Sequence, residues 1–100
     1  MGTIEYVAVG DARLWTARQG SGPPLALLHG GPGMWDYLGP VAAMLDDQAT
    51  VYRYDQRACG RTSGNPRYGM TAAVEDLDAL RAQWDLDAWV VAGHSFGATL

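Results

Sequence analysis

Short apolar runs alternate along the chain with breaks marked by glycine and proline, and the spacing within each run names an element. The segment "IEYVAVGDARLWTARQG" holds two alternating runs rich in Val, Tyr, Ile and Trp on either side of Gly10-Asp11, which predicts a β-hairpin. After the "GSGPP" break, "LALLHGG" is an unbroken apolar stretch ending in glycine. That pattern predicts a third strand over Leu25 to Leu28, covered on both faces in a parallel sheet. Leu38, Val41, Ala42 and Leu45 follow at helical spacing. A helix is expected from Pro40 to Leu45, with the proline in the first turn because an interior one costs roughly 3 kcal/mol. "ATVYRYD" reads as a fourth strand and "QRACGRTSGNPRYG" as a long polar loop. In "MTAAVEDLDALRAQWDLD" Thr71 is expected to cap a helix. Glu75 and Asp76 should sit in its early turns, where the dipole favours anions, and Ala73, Leu77, Leu80 and Trp84 should form the buried stripe. "AWVVAG" is a fifth strand that leads into Ser95.

A hairpin followed by strand, helix, strand, helix, strand predicts the α/β class: a mostly parallel sheet with an antiparallel amino-terminal hairpin and flanking helices. No internal repeat or low-complexity tract interrupts that order. A length of 100 residues allows one domain at most, and 48% apolar against 18% charged residues is the balance of a folded chain. The net charge of -4, without clustered Lys and Arg, argues against nucleic acid as a partner. The amino terminus lacks a basic region followed by an apolar run, and Tyr6 stands where myristoylation prefers Ser or Thr. No stretch reaches membrane-span length, so no membrane association and a cytoplasmic location are expected. Cys59 is the single cysteine, so no disulfide can form within these residues.

Two motifs carry chemistry. In "GHSFG", Gly93 to Gly97, a serine follows an apolar strand inside a Gly-x-Ser-x-Gly frame. A hydroxyl nucleophile needs a sharp strand-to-helix turn, and glycines two positions either side remove the collisions that such a turn creates. The turn aims the Phe96 backbone N–H at the reacting carbonyl oxygen. The second motif is "HGGPG", His29 to Gly33, directly after the third strand. Acyl transfer needs two N–H donors converging on the oxyanion, and bare glycine backbone can approach a substrate closely, so Gly31 is the expected second donor. Ser95 is thus the candidate nucleophile, with Gly31 and Phe96 as the candidate oxyanion hole.

"HGGPG", "YDQRACGRTSG" (Tyr54 to Gly64) and "GHSFG" together resemble the α/β-hydrolase superfamily, the first two most closely its prolyl aminopeptidase (proline iminopeptidase) branch. The three motifs occur in that family's order and cover the chain from about Leu25 onward. The resemblance implies an α/β-hydrolase fold and the roles already given for Ser95, Gly31 and Phe96. The elbow departs from the branch's usual Gly-Gly-Ser-Trp-Gly, with His94 and Phe96 in place of the second glycine and the tryptophan, as in many esterase-like relatives.

Other reactive residues have plainer readings. His94 is next to Ser95, and neighbouring strand residues point to opposite faces, so its ring is expected to face away from the hydroxyl. His29 is expected to organise the glycine turn through hydrogen bonds. Cys59 lies between Arg57 and Arg61 but has no identifiable base beside it, so it reads as a packed or exposed thiol. Arg57 and Arg61 are expected to serve structure, paired with a carboxylate such as Asp55. Trp15, Trp35, Trp84 and Trp89 read as core or contact residues, with Trp35 near enough to the glycine turn to border a pocket. No Cys/His cluster has metal-ligand spacing and no loop has a phosphate cradle's ending, so neither metal nor cofactor is expected.

The triad of this superfamily runs Ser, then Asp or Glu, then His, and only five residues follow Ser95. The acid and base are therefore expected outside this chain. Residues 1–100 then form the amino-terminal portion of one α/β-hydrolase domain of roughly 250 residues, or a subunit that a second chain completes. The expected activity is a serine hydrolase cleaving an amide or ester of a small-molecule or peptide substrate through an acyl-enzyme, with little turnover by this chain alone. The alternative is a non-catalytic binding module on the same fold.

Overall fold

The computed structural model describes residues 2–10, 12–30, 35–57, 59–64 and 70–94, and of 63, 64 and 70 the backbone alone. Strands β1 (Gly2–Val9) and β2 (Ala12–Gly20) form the expected antiparallel hairpin, with Val9 opposite Ala12 and Gly10 at φ +59°, a left-handed value that glycine adopts without strain. Strand β3 (Pro24–Leu28), helix α1 (Gly39–Leu45), strand β4 (Thr50–Tyr54), the short β5 (Ser63–Gly64), helix α2 (Met70–Gln83) and strand β6 (Val90–Gly93) follow. The sheet order is β1-β2-β4-β3-β6. β2 pairs antiparallel with β4 over Thr16 to Gly20 and with β5 over Ala12 and Arg13, so one long strand spans two shorter neighbours. The loop expected to be wholly irregular therefore contributes β5.

β3 is parallel to both β4 and β6. Alternation along the strands sorts their side chains to two faces. Leu27 and Val51 pack with Leu38 and Ala42 on the α1 side. Leu28, Tyr54, Leu14 and Val7 pack with Leu80 on the α2 side, which Trp84 and Trp89 extend. The chain steps from β3 to β4 on one side and returns to β6 on the other. The strand order thus reverses at β3, and open α/β sheets bind ligands beyond the carboxyl ends of strands at such a reversal.

Both helices differ from expectation in detail. α1 begins at Gly39, with Pro40 in its first turn as required, but Val41 is exposed and Ala42 takes the buried position. α2 begins at Met70, which puts Thr71 inside the helix and exposed instead of at its cap. Its buried stripe is Ala72, Asp76 and Leu80, with Ala73, Leu77 and Trp84 half-buried beside it. Glu75 and Asp76 stand in the second turn, beyond the strongest field of the helix end. Asp76 is buried because Arg57 meets it there, through Nε at 2.8 Å and Nη2 at 3.0 Å.

Candidate active site

At the carboxyl end of β4 the chain turns through Asp55, Gln56 and Arg57, and each of the three fastens a different part of the molecule. The buried Asp55 carboxylate accepts N–H groups from the Asp36 backbone at 2.6 Å and the Arg61 backbone at 2.7 Å. It also accepts from Arg61 Nε at 2.7 Å and Nη2 at 2.8 Å. Burial opposes its ionisation, but the Arg61 side chain and the two backbone N–H groups outweigh that penalty and hold its pKa below the usual carboxylate range. Arg61 lies over the Trp15 ring, 3.3 Å from its centroid, so the guanidinium is held by a carboxylate and an aromatic face together. Gly60 makes this possible. Its φ is +50°, and a Cβ there would stand 2.6 Å from Asp55 Oδ2 and 2.7 Å from Trp35 Cβ. Arg57 joins the loop to α2 through Asp76 and to the hairpin through the Val9 carbonyl at 3.3 Å. Both arginines serve structure, Arg57 on Asp76 and Arg61 on Asp55. Cys59 is a packed, buried thiol.

Gln56 fixes the end of β3. Its backbone N–H donates to His29 Nε2 at 3.0 Å, and its side-chain amide donates to the His29 carbonyl at 2.8 Å. Because a backbone amide can only donate, Nε2 accepts. The neutral ring therefore carries its proton on Nδ1 and donates it to the Gly30 carbonyl at 2.7 Å. Both nitrogens of this fully buried imidazole are engaged, Nδ1 with Gly30 and Nε2 with Gln56, which leaves it no capacity to serve as a general base.

Tyr37, just before α1, reaches the same end of the sheet. Its hydroxyl accepts the Gly30 N–H at 2.8 Å and lies 2.7 Å from His94 Nδ1. Leu28 stands opposite Gly93 in the β3–β6 register, and the His94 N–H donates to the Leu28 carbonyl at 3.1 Å. The described flanks of the two motifs, His29-Gly30 and Gly93-His94, are therefore adjacent at the reversal point. Ser95, Gly31 and Phe96 lie outside the described residues. Next to these flanks is an apolar hollow of about 210 Å³, lined by Leu27, Leu38, Val41, Ala92, Gly93 and His94.

Sequence reasoning did not single out Tyr37, Asp36 or Gln56. Their signal was polar residues in "WDY" and "YDQR" where flanking apolar letters already promised burial. Asp36 is buried and pairs with Arg53 at 2.5 Å, tying the segment before α1 to β4. Among the described residues no group of three or more His, Cys, Asp or Glu stands together as metal ligands would, and no helix is long and apolar enough to cross a membrane.

Residues 23–100 match the model of a family described as the alpha/beta hydrolase fold. The chain belongs to the α/β-hydrolase family. It is 41% identical over 88 residues to a proline iminopeptidase of Saccharolobus solfataricus, covering 82% of this chain and 28% of the relative. To a proline iminopeptidase of Heyndrickxia coagulans it is 35% identical, over 81% of this chain and 29% of the relative. Among solved structures, a proline iminopeptidase-related protein from Thermus thermophilus is similar at a TM-score of 0.84 and 32% identity, over 99% of this chain and 38% of that one. A laboratory-evolved variant of a potato epoxide hydrolase is similar at a TM-score of 0.89 and 25% identity, over 99% and 33%. The α/β-hydrolase chain described here thus spans about a third of the length of the proteins it resembles.

Proposed function

We propose that this chain supplies the nucleophile and the oxyanion hole of a serine hydrolase that cleaves an amide or ester. The observation that supports the reading is the parallel pairing of β3 and β6 with Leu28 opposite Gly93, which brings the described flanks of the two glycine motifs, His29-Gly30 and Gly93-His94, to the same end of the sheet. Ser95 Oγ attacks the substrate carbonyl carbon and passes its proton to a general base. The N–H groups of Gly31 and Phe96 take the negative charge that develops on the carbonyl oxygen. Collapse of the tetrahedral species breaks the bond to the leaving amine or alcohol, which receives that proton, and water then releases the acyl group from Ser95. Gly30 is not an oxyanion donor in this scheme, because its N–H is already given to Tyr37.

The base and its acidic partner are assigned to residues outside 1–100, since His29 has both nitrogens engaged and His94 holds Tyr37. Similarity to proteins named proline iminopeptidases favours a peptide as substrate, cleaved at its amino-terminal residue. The apolar hollow beside His94 suits a ring or aliphatic side chain. A fluorophosphonate probe applied to the protein at its native length should label Ser95, and Ser95→Ala should remove both labelling and turnover. Ligand binding that survives Ser95→Ala, with no adduct on the native serine, would assign the fold to a binding role instead.

A further inference from the structure

Tyr37 is the side chain that the proposed chemistry leaves without a task, and its hydroxyl touches both motifs. A backbone N–H can only donate, so the Tyr37 oxygen accepts from Gly30 at 2.8 Å. Its own proton can then go to His94 Nδ1 at 2.7 Å, the arrangement in which the ring carries its proton on Nε2. The two rings meet edge to face, with centroids 5.8 Å apart. The other end of the tyrosine is packed against the cluster of Leu27, Leu38, Ala42 and Val51, so the ring is held by the core while its hydroxyl bridges two loops. Among the described residues, the outermost backbone tie between β3 and β6 is the bond from the His94 N–H to the Leu28 carbonyl. Tyr37 adds a second tie farther out, from Gly30 to the His94 ring.

We propose that Tyr37 is a positioning residue: its hydroxyl fastens the glycine turn after β3 to the residue preceding Ser95 and thereby sets the spacing between the oxyanion donors and the nucleophile. This rests on the serine-hydrolase reading above. The chemical need is strict, since a displacement of about 1 Å in a catalytic constellation can cost on the order of a hundredfold in rate. Tyr37 itself touches neither substrate nor reacting atom in this scheme.

The test uses the native-length protein and Tyr37→Phe, which keeps the ring and removes only the bridge. The expected result is a kcat lowered roughly ten- to a hundredfold with KM within about twofold, slower fluorophosphonate labelling of Ser95, and a moved ¹⁵N resonance for His94 Nδ1. His94→Leu should lower kcat similarly, and His94→Gln, whose amide can accept the same bond, should keep most of the activity. The double variant Tyr37→Phe with His94→Leu should be no worse than either single change. A folded Tyr37→Phe protein with unchanged kcat and labelling rate overturns the proposal. Should that variant not fold, equal rates for His94→Leu and His94→Gln overturn it just as well. Failure of the native protein to label at Ser95 removes the hydrolase reading and this proposal together, whereas normal native labelling with an indifferent Tyr37→Phe removes this proposal alone.

Discussion

Strands β3 and β6 lie side by side and are written in similar letters, "PLALL" and "VVAG", yet they live in opposite environments. Ala26, Leu27 and Leu28 of β3 are buried because β4 and β6 flank the strand and a helix packs on each face. Val90 is 65% exposed and Val91 41%, because β6 has a described neighbour on one side only. An apolar run states that a strand can be buried, and its neighbours decide whether it is. The same contrast holds at the carboxyl ends of the strands. Beyond β4 every polar group of Asp55 is answered, whereas beyond β6 the described contacts reduce to His94 on Leu28 and Tyr37.

The hardest blow to the β4 end is Asp55→Ala. It strands the Asp36 and Arg61 amides and the Arg61 guanidinium, and should cost about 3–5 kcal/mol, read from urea unfolding. The sign of its pH dependence follows from the lowered pKa. The ionised carboxylate adds stability above its unfolded pKa of about 3.9, and that contribution disappears as the pH falls through the lower folded value. Asp55→Asn should therefore flatten the acid limb of a stability profile measured from neutral pH downward; an unaltered acid limb would mean that another group governs it. Leu28→Ala, at a position with no exposed surface, should cost roughly 2–5 kcal/mol by the same unfolding measurement. The smallest effect belongs to β6. In the chain described here Val90→Ala should stay within about 0.5 kcal/mol, and a loss approaching that of Leu28→Ala would show that β6 is covered.

Much of the architecture was legible in the letters. The hairpin, the third and fourth strands and both helices fall within a residue or two of their expected bounds, because period-two and helical spacing of apolar residues report which faces can be buried. The details that failed are those that a neighbour decides. Asp76 reads as an anion near a helix start, but a cation arriving from the β4 loop makes it the centre of the helix's buried stripe. Val41 has the right spacing to be core and is exposed, since α1 turns Ala42 toward Leu27 and Val51 instead. Of the site, His29 as an organiser of the glycine turn could be foreseen from its place beside two glycines. The bridge from Tyr37 to His94 could not, because 57 positions separate its ends.

By itself the sequence determined the α/β class, the order of the elements apart from the short β5, and the family, since these depend on local periodicity and on short motifs whose geometry is set within a few residues. Only the tertiary structure decided which carboxylate answers which arginine, which nitrogen of His29 holds the proton, and that Gly30 gives its N–H to a tyrosine. Those outcomes depend on direction and on distances of about 3 Å between groups far apart in the chain. A hydrogen bond forms or fails on that geometry, and one-dimensional spacing does not carry it.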